Sequence, residues 1–81
     1  MFKNKTQDGK NNICGARIAE LRKSRTPKMS QRMLADLLQL NGLDVDKNAI
    51  QKIESGQRFI TDIEIKVIAA ALGVSYSELL D

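Results

Sequence analysis

Residues 46–58, Asp-Lys-Asn-Ala-Ile-Gln-Lys-Ile-Glu-Ser-Gly-Gln-Arg, contain side chains that could hydrogen-bond an extended partner. On a helical wheel at about 100° per residue, Ile50, Ile53 and Glu54 cluster on one side. Asn48, Lys52 and Ser55 lie opposite, flanked by Gln51, with Lys47 nearer the core edge. Lysine can donate to O6 and N7 of guanine, and Asn or Gln can pair with N6 and N7 of adenine, which is the chemistry of major-groove readout. Ala49 is small enough to sit beside a groove wall without obstructing it. Polar residues of this kind also make an ordinary solvated helix face, so the elements that carry the segment decide between the two.

Composition removes several other chemistries. The chain has 81 residues, enough for one domain, with 42% apolar and 28% charged residues, as in an ordinary globular protein. There is no histidine, and Cys14 is the single cysteine. That excludes Ser-His-Asp and Cys-His nucleophilic arrangements, zinc sites built on paired Cys or His, and an internal disulfide. With no glycine loop to cradle phosphate either, the chain is expected not to be an enzyme and to carry no cofactor, metal or small-molecule ligand. The longest apolar run, residues 67–72, is far shorter than the roughly 20 residues of a membrane span. No apolar stretch follows the first lysines, so no secretory leader is expected and a cytoplasmic location is. Phe2, Phe59 and Tyr76 are the only aromatics, too few for an RNA-stacking platform.

Charge is uneven along the chain. Residues 1–33 hold nine Lys and Arg against Asp8 and Glu20, whereas residues 34–81 hold Lys47, Lys52, Arg58 and Lys66 against eight acids. A basic half of this kind fits a polyanion such as nucleic acid or an anionic membrane face, and it also fits a plain solvated surface.

Residues 1–12 are polar, lysine-rich and aperiodic, and read as a mobile basic arm ahead of a domain over 13–81. Helical patterns separated by turn signals follow. A first helix is expected over about 13–24, with Ile18 and Leu21 on one face and Arg22 beside them; Pro27 blocks its continuation. Ser30 is positioned to cap a second helix that buries Leu34, Ala35, Leu37 and Leu38 and ends at Asn41-Gly42. Asp46 caps a third, which Gly56 terminates in the left-handed conformation. Thr61-Asp62-Ile63-Glu64 is a capping box for a fourth helix, stapled by Ile60 and Ile65, with a core stripe of Ile65, Ile68, Ala69 and Leu72 and a stop at Gly73. Ser75-Tyr76-Ser77-Glu78 opens a short fifth carrying Leu79 and Leu80. The expected fold class is all-α, with five helices.

In this order, the segments ICGARIAELRKSR, SQRMLADLL, NAIQKIESGQR and IKVIAAALGVSYSELL resemble the Cro/phage-repressor (XRE) type of helix-turn-helix DNA-binding domain, of lambda-repressor-like fold. The resemblance implies a DNA-binding transcriptional regulator, a repressor by default, that lays the third helix in the major groove. By matched position, Lys47, Asn48 and Lys52 fall where base edges are read, with Gln51 at the border of that set. Gln31 falls where a phosphate is bound and the first reading residue braced. Arg32 and Ser55 join the phosphate set, and Arg58 falls where phosphate is clamped. Arg22 and Glu54 match a structural ion pair, which elementary chemistry also favours because an inward carboxylate needs a partner. The sequence departs from the family spacing by about five additional residues between Leu34 and Ile50. Either the second helix runs an extra turn or the connection is a longer loop pinned by Leu40, Leu43 and Val45.

The remaining features bear on partners. Ile63, Val67 and Ala70 give the fourth helix an apolar back, a candidate homodimer contact unless Phe59 or the long loop covers it; Tyr76, Leu79 and Leu80 form the alternative surface. A dimer would pair with a palindromic operator in double-stranded DNA. Lys3, Lys5 and Lys10 could follow the phosphate backbone or belong to a plain terminus. Cys14 reads as a small residue near the start of the first helix. The alternative function is a helix-turn-helix module or adaptor that binds protein and not DNA; the polar set from Lys47 to Lys52 argues against it, because a protein-binding face would be richer in Leu, Met or aromatics.

Overall fold

Side-chain caps set the helix boundaries in the computed structural model, which describes residues 5–6 and 9–81. Five helices form among the described residues, with no strand: α1 (Gly15–Lys23), α2 (Gln31–Leu40), α3 (Lys47–Glu54), α4 (Asp62–Leu72) and α5 (Tyr76–Leu80). Ser30 Oγ accepts from the Met33 N–H, and Asp46 Oδ1 from the Ala49 N–H, each satisfying a donor that the first helical turn leaves unpaired. Thr61 and Ser75 both complete capping boxes, with Glu64 and Glu78 reaching back to the cap N–H groups. The chain leaves α3 through Gly56, at φ +83°, and α4 through Gly73, at φ +68°. α1 begins later than expected because Asn12, not a residue beside Ile13, meets its first N–H: Asn12 Oδ1 accepts from Gly15 N.

One core joins all five helices. Ile18 of α1, Leu34, Ala35 and Leu38 of α2, Ile50 and Ile53 of α3, Ile68, Ala69 and Leu72 of α4 and Leu79 of α5 are buried together with Cys14 and Val45. Leu37 and Ile65, expected inside, are only partly buried, and of the two Ile65 packs against this cluster. Leu79 corrects a second expectation. It is 2% exposed, so it belongs to the core of its own chain and cannot serve as a dimer contact. Burial pushes the Cys14 thiol up, away from the thiolate that a reactive cysteine needs.

The residues in excess of the family spacing form a loop. α2 stops at Leu40, Asn41-Gly42 turns the chain, and residues 43–46 lead into α3 through a tight turn in which the Val45 N–H donates to the Leu43 carbonyl at 3.0 Å. Buried Val45 and partly buried Leu43 hold this loop, with the Gln39 amide donating to the Val45 carbonyl at 2.7 Å. Leu40 takes no part in the anchoring, being 86% exposed.

α1 and α3 approach so closely at Gly15 that a Cβ there would fall on the Ile53 carbonyl oxygen. Gly15→Ala is therefore expected to destabilise the domain by about 1–3 kcal/mol through overpacking, despite the better helix propensity of alanine. A urea unfolding midpoint equal to that of the wild type would show that the two helices can separate without loss.

The last two residues counted with the basic arm are tied to the domain. Asn11 and Asn12 are hydrogen-bonded to the end of α3 and the turn after it. Lys3, counted with that arm, lies outside the described residues; Lys5 is exposed, and Lys10 is exposed while its stem packs across Gly56.

Candidate nucleic-acid interface

α3 is amphipathic, and its orientation follows from the burial of Ile50 and Ile53. With those two residues in the core, Lys47, Asn48, Gln51, Lys52 and Ser55 are all exposed on the outer surface. Two shallow depressions run beside them. One is lined by Asn48, Gln51, Lys52, Ser55 and Gln57; the other lies between Asn48, Lys52, Arg58 and Phe59. Gln57 was not singled out in the sequence. It joins this surface because Gly56 turns the chain back over the end of α3, and a polar residue directly after a helix-terminating glycine was the available signal.

Behind the exposed face is a junction of charges. The Arg22 Nε and Nη2 groups donate to the two oxygens of Glu54, each at 2.8 Å, in a fork whose side chains are 9% and 8% exposed. Arg22 Nη1 also donates to the Met29 carbonyl at 2.9 Å, which fastens the connection between α1 and α2. The hydrogen bonds to Glu54 hold the Arg22 pKa above its ordinary value against the opposing effect of burial. Gln31 completes the junction by donating from Nε2 to Glu54 Oε1 at 3.0 Å. Its bracing therefore acts on the last residue of α3 and not on the first, as the family pattern implied. α1, α2 and α3 all meet at the Glu54 carboxylate.

Arg58 sits on the flank of the exposed face with its guanidinium already engaged. Nη2 and Nη1 donate to Glu64 Oε2 and Oε1 at 2.7 and 3.1 Å, and Nη1 also reaches the Phe59 carbonyl. The side chain stays 32% exposed, so a phosphate can approach the edge that Glu64 does not hold. Hydrogen bonds from Arg58 keep the Glu64 carboxyl below the usual carboxylate range against the upward push of burial, helped by the Thr61 N–H. The sign for stability follows. A lowered folded-state pKa contributes stability that is complete above the unfolded-state value and is lost as pH falls through the lowered one. Thermal midpoints are expected to decline on the acid side of that range, and less steeply in Glu64→Gln. An identical acid profile in the variant would mean that this pair does not carry the effect.

The other phosphate candidates are placed unequally. Arg32 is exposed in the first turn of α2, where helix N–H groups favour anions. The Ser55 hydroxyl donates to the Lys52 carbonyl at 3.1 Å and must rotate to donate elsewhere. Of the apolar residues assigned to a dimer contact, Ile63 and Tyr76 are 69% and 52% exposed and line one groove with Ile65, Lys66 and Leu80, while Val67 is partly buried. No helix of the described residues is long and apolar enough to cross a membrane, and no group of His, Cys, Asp or Glu among them could hold a metal ion.

Residues 18–79 match the helix-turn-helix family model, a span that runs from Ile18 in α1 to Leu79 in α5 and includes the whole exposed face of α3. The chain belongs to the helix-turn-helix family, of the Cro/phage-repressor type. In general terms this is the family of a DNA-binding regulator. No curated protein and no solved structure matches the chain significantly.

Proposed function

We propose that the chain is a sequence-specific regulator of transcription that binds double-stranded DNA as a homodimer and represses by occupying a palindromic operator. α3 lies in the major groove, where Asn48, Gln51 and Lys52 read base edges, with Lys47 at the entering end. Arg32, Ser55, Arg58 and the N-terminal turn of α2 hold phosphates and fix the register. Gln31 acts from behind, through Glu54. The groove lined by Ile63, Tyr76 and Leu80 is the contact between protomers.

One observation carries this reading. The side-chain ends of Lys47, Asn48, Gln51 and Lys52 are exposed and uncommitted to hydrogen bonds among the described residues, whereas Arg22, Gln31 and Arg58 are engaged internally. Four adjacent donors and acceptors on a helix clamped from behind are what base-edge recognition needs.

Selection of wild-type protein against random duplexes at about 150 mM salt tests the proposal. Enrichment of a palindrome with half-site centres about 34 Å apart is expected. If no sequence is enriched, and the residual binding disappears as salt rises, base reading is refuted and a protein partner for this face becomes the question.

A further inference from the structure

The family match begins at residue 18, yet the chain ahead of it is built into the interface. The Asn11 backbone N–H donates to the Gly56 carbonyl at 2.8 Å, and its side-chain amide to the Gln57 carbonyl at 2.9 Å. The Asn12 amide donates to the carbonyls of Ile53 at 3.1 Å and Arg58 at 2.7 Å, while its Oδ1 accepts from Gly15 N at 2.8 Å. The stem of Lys10 fills the space that a Cβ on Gly56 would need. Two consecutive asparagines thus meet four carbonyls between residues 53 and 58, at the end of α3 and along the turn that follows it.

Asn12 has a special place in this set. Its one side chain bonds the last turn of α3, the carbonyl of Arg58 and the first N–H of α1. It therefore fixes three segments relative to one another: the end of the helix that carries Lys52, the turn that carries Ser55 and Arg58, and the helix that carries Arg22. Only an amide can do this, because the two carbonyls need donors and the Gly15 N–H needs an acceptor.

We infer that Asn12 is a positioning residue for DNA recognition, holding the end of α3 and the turn 55–58 in the pose in which Lys52, Ser55 and Arg58 meet the duplex. The inference rests on the DNA-reading function proposed above. Its logic is that phosphate contacts set register, and a turn free to shift by a bond length loses them.

Asn12→Asp separates the roles chemically, since the carboxylate still accepts from Gly15 but cannot donate to Ile53 and Arg58. Asn12→Ser keeps a capping oxygen without placing a charge beside two carbonyls, and Asn11→Ala deletes only the side-chain bond to Gln57. Each variant is titrated with the duplex selected by the wild type over a series of salt concentrations, well below its own unfolding midpoint. Asn12→Asp and Asn12→Ser are expected to bind about tenfold more weakly, and the slope of log K against log salt to shrink by about 0.9, the loss of one phosphate contact. Asn11→Ala should show a smaller change in the same direction. A residue that merely stabilised the fold would lower the unfolding midpoint and leave both affinity and slope unchanged, and that result overturns the inference. If Asn12→Asp does not fold, Asn12→Ser and Asn11→Ala decide the matter by the same two readouts. A wild-type protein that selects no duplex defeats the DNA reading and this inference together; a wild type that selects one, with variants indistinguishable from it, defeats the inference alone.

Discussion

Asn48→Ala combined with Lys52→Ala is expected to remove selection of a specific duplex while leaving the fold intact. Each good bidentate contact to a base is worth about 1–3 kcal/mol of discrimination, so two together supply at least about 2 kcal/mol. That corresponds to a dissociation constant raised by roughly 30-fold or more, at ~1.4 kcal/mol per decade. Stability should change little, within about 0.5 kcal/mol per site, because both residues are exposed and their side chains hold nothing else in place. Affinity for random duplex should fall only modestly, through the lost Lys52 charge. Fluorescence anisotropy with the selected palindrome and a scrambled control measures both quantities. Equal weakening on the two duplexes would make Lys52 a phosphate contact and remove Asn48 from base reading.

Glu54→Ala is expected to have the largest effect on stability. The carboxylate is nearly buried, accepts a two-pronged hydrogen bond from Arg22 and a third bond from Gln31, and its removal leaves the Arg22 guanidinium inside without its counter-charge. Breaking a buried pair in this way costs about 3–5 kcal/mol. In a domain of this size, at about 4–8 °C per kcal/mol, that is a fall of roughly 12–40 °C in the thermal midpoint. Arg22→Met with Glu54→Leu should recover most of the loss, since replacing both partners by apolar groups avoids the uncompensated charge. A single variant that unfolds within about 1 kcal/mol of the wild type would mean that water reaches the junction. The double variant also separates stability from recognition. With the fork replaced by apolar packing, any loss of DNA affinity would come from a shifted α3 and not from unfolding.

Much of this architecture is legible in the chain because its signals are local. Ser30, Asp46, Thr61 and Ser75 mark helix starts through bonds spanning three residues, and Gly56 and Gly73 mark ends through a backbone conformation that side chains disfavour. The period of Ile50 and Ile53 alone determines which side of α3 turns outward, and so assigns Lys47, Asn48, Gln51 and Lys52 to one exposed face. The contact of Arg22 with Glu54 spans 32 residues, and it is legible through the family resemblance and the need of an inward carboxylate for a partner.

What only the tertiary structure decided is the partner of each group that had several to choose from. Arg58 can grip a phosphate or a carboxylate, and it holds Glu64 because the capping box of α4 brings that acid under the turn after α3. Gln31 bonds Glu54 and not the start of α3. Leu79 can face a second protomer or its own core, and the packing of α5 against α1 and α4 places it inside. The bonds of Asn12 to residues 41 and 46 positions away leave no trace in periodicity, and an asparagine before a helix reads equally well as a loop residue. Helix-forming and capping signals are short-range and so can be read from neighbouring residues. The choice among long-range partners depends on where the helices pack, which the arrangement of the whole core determines.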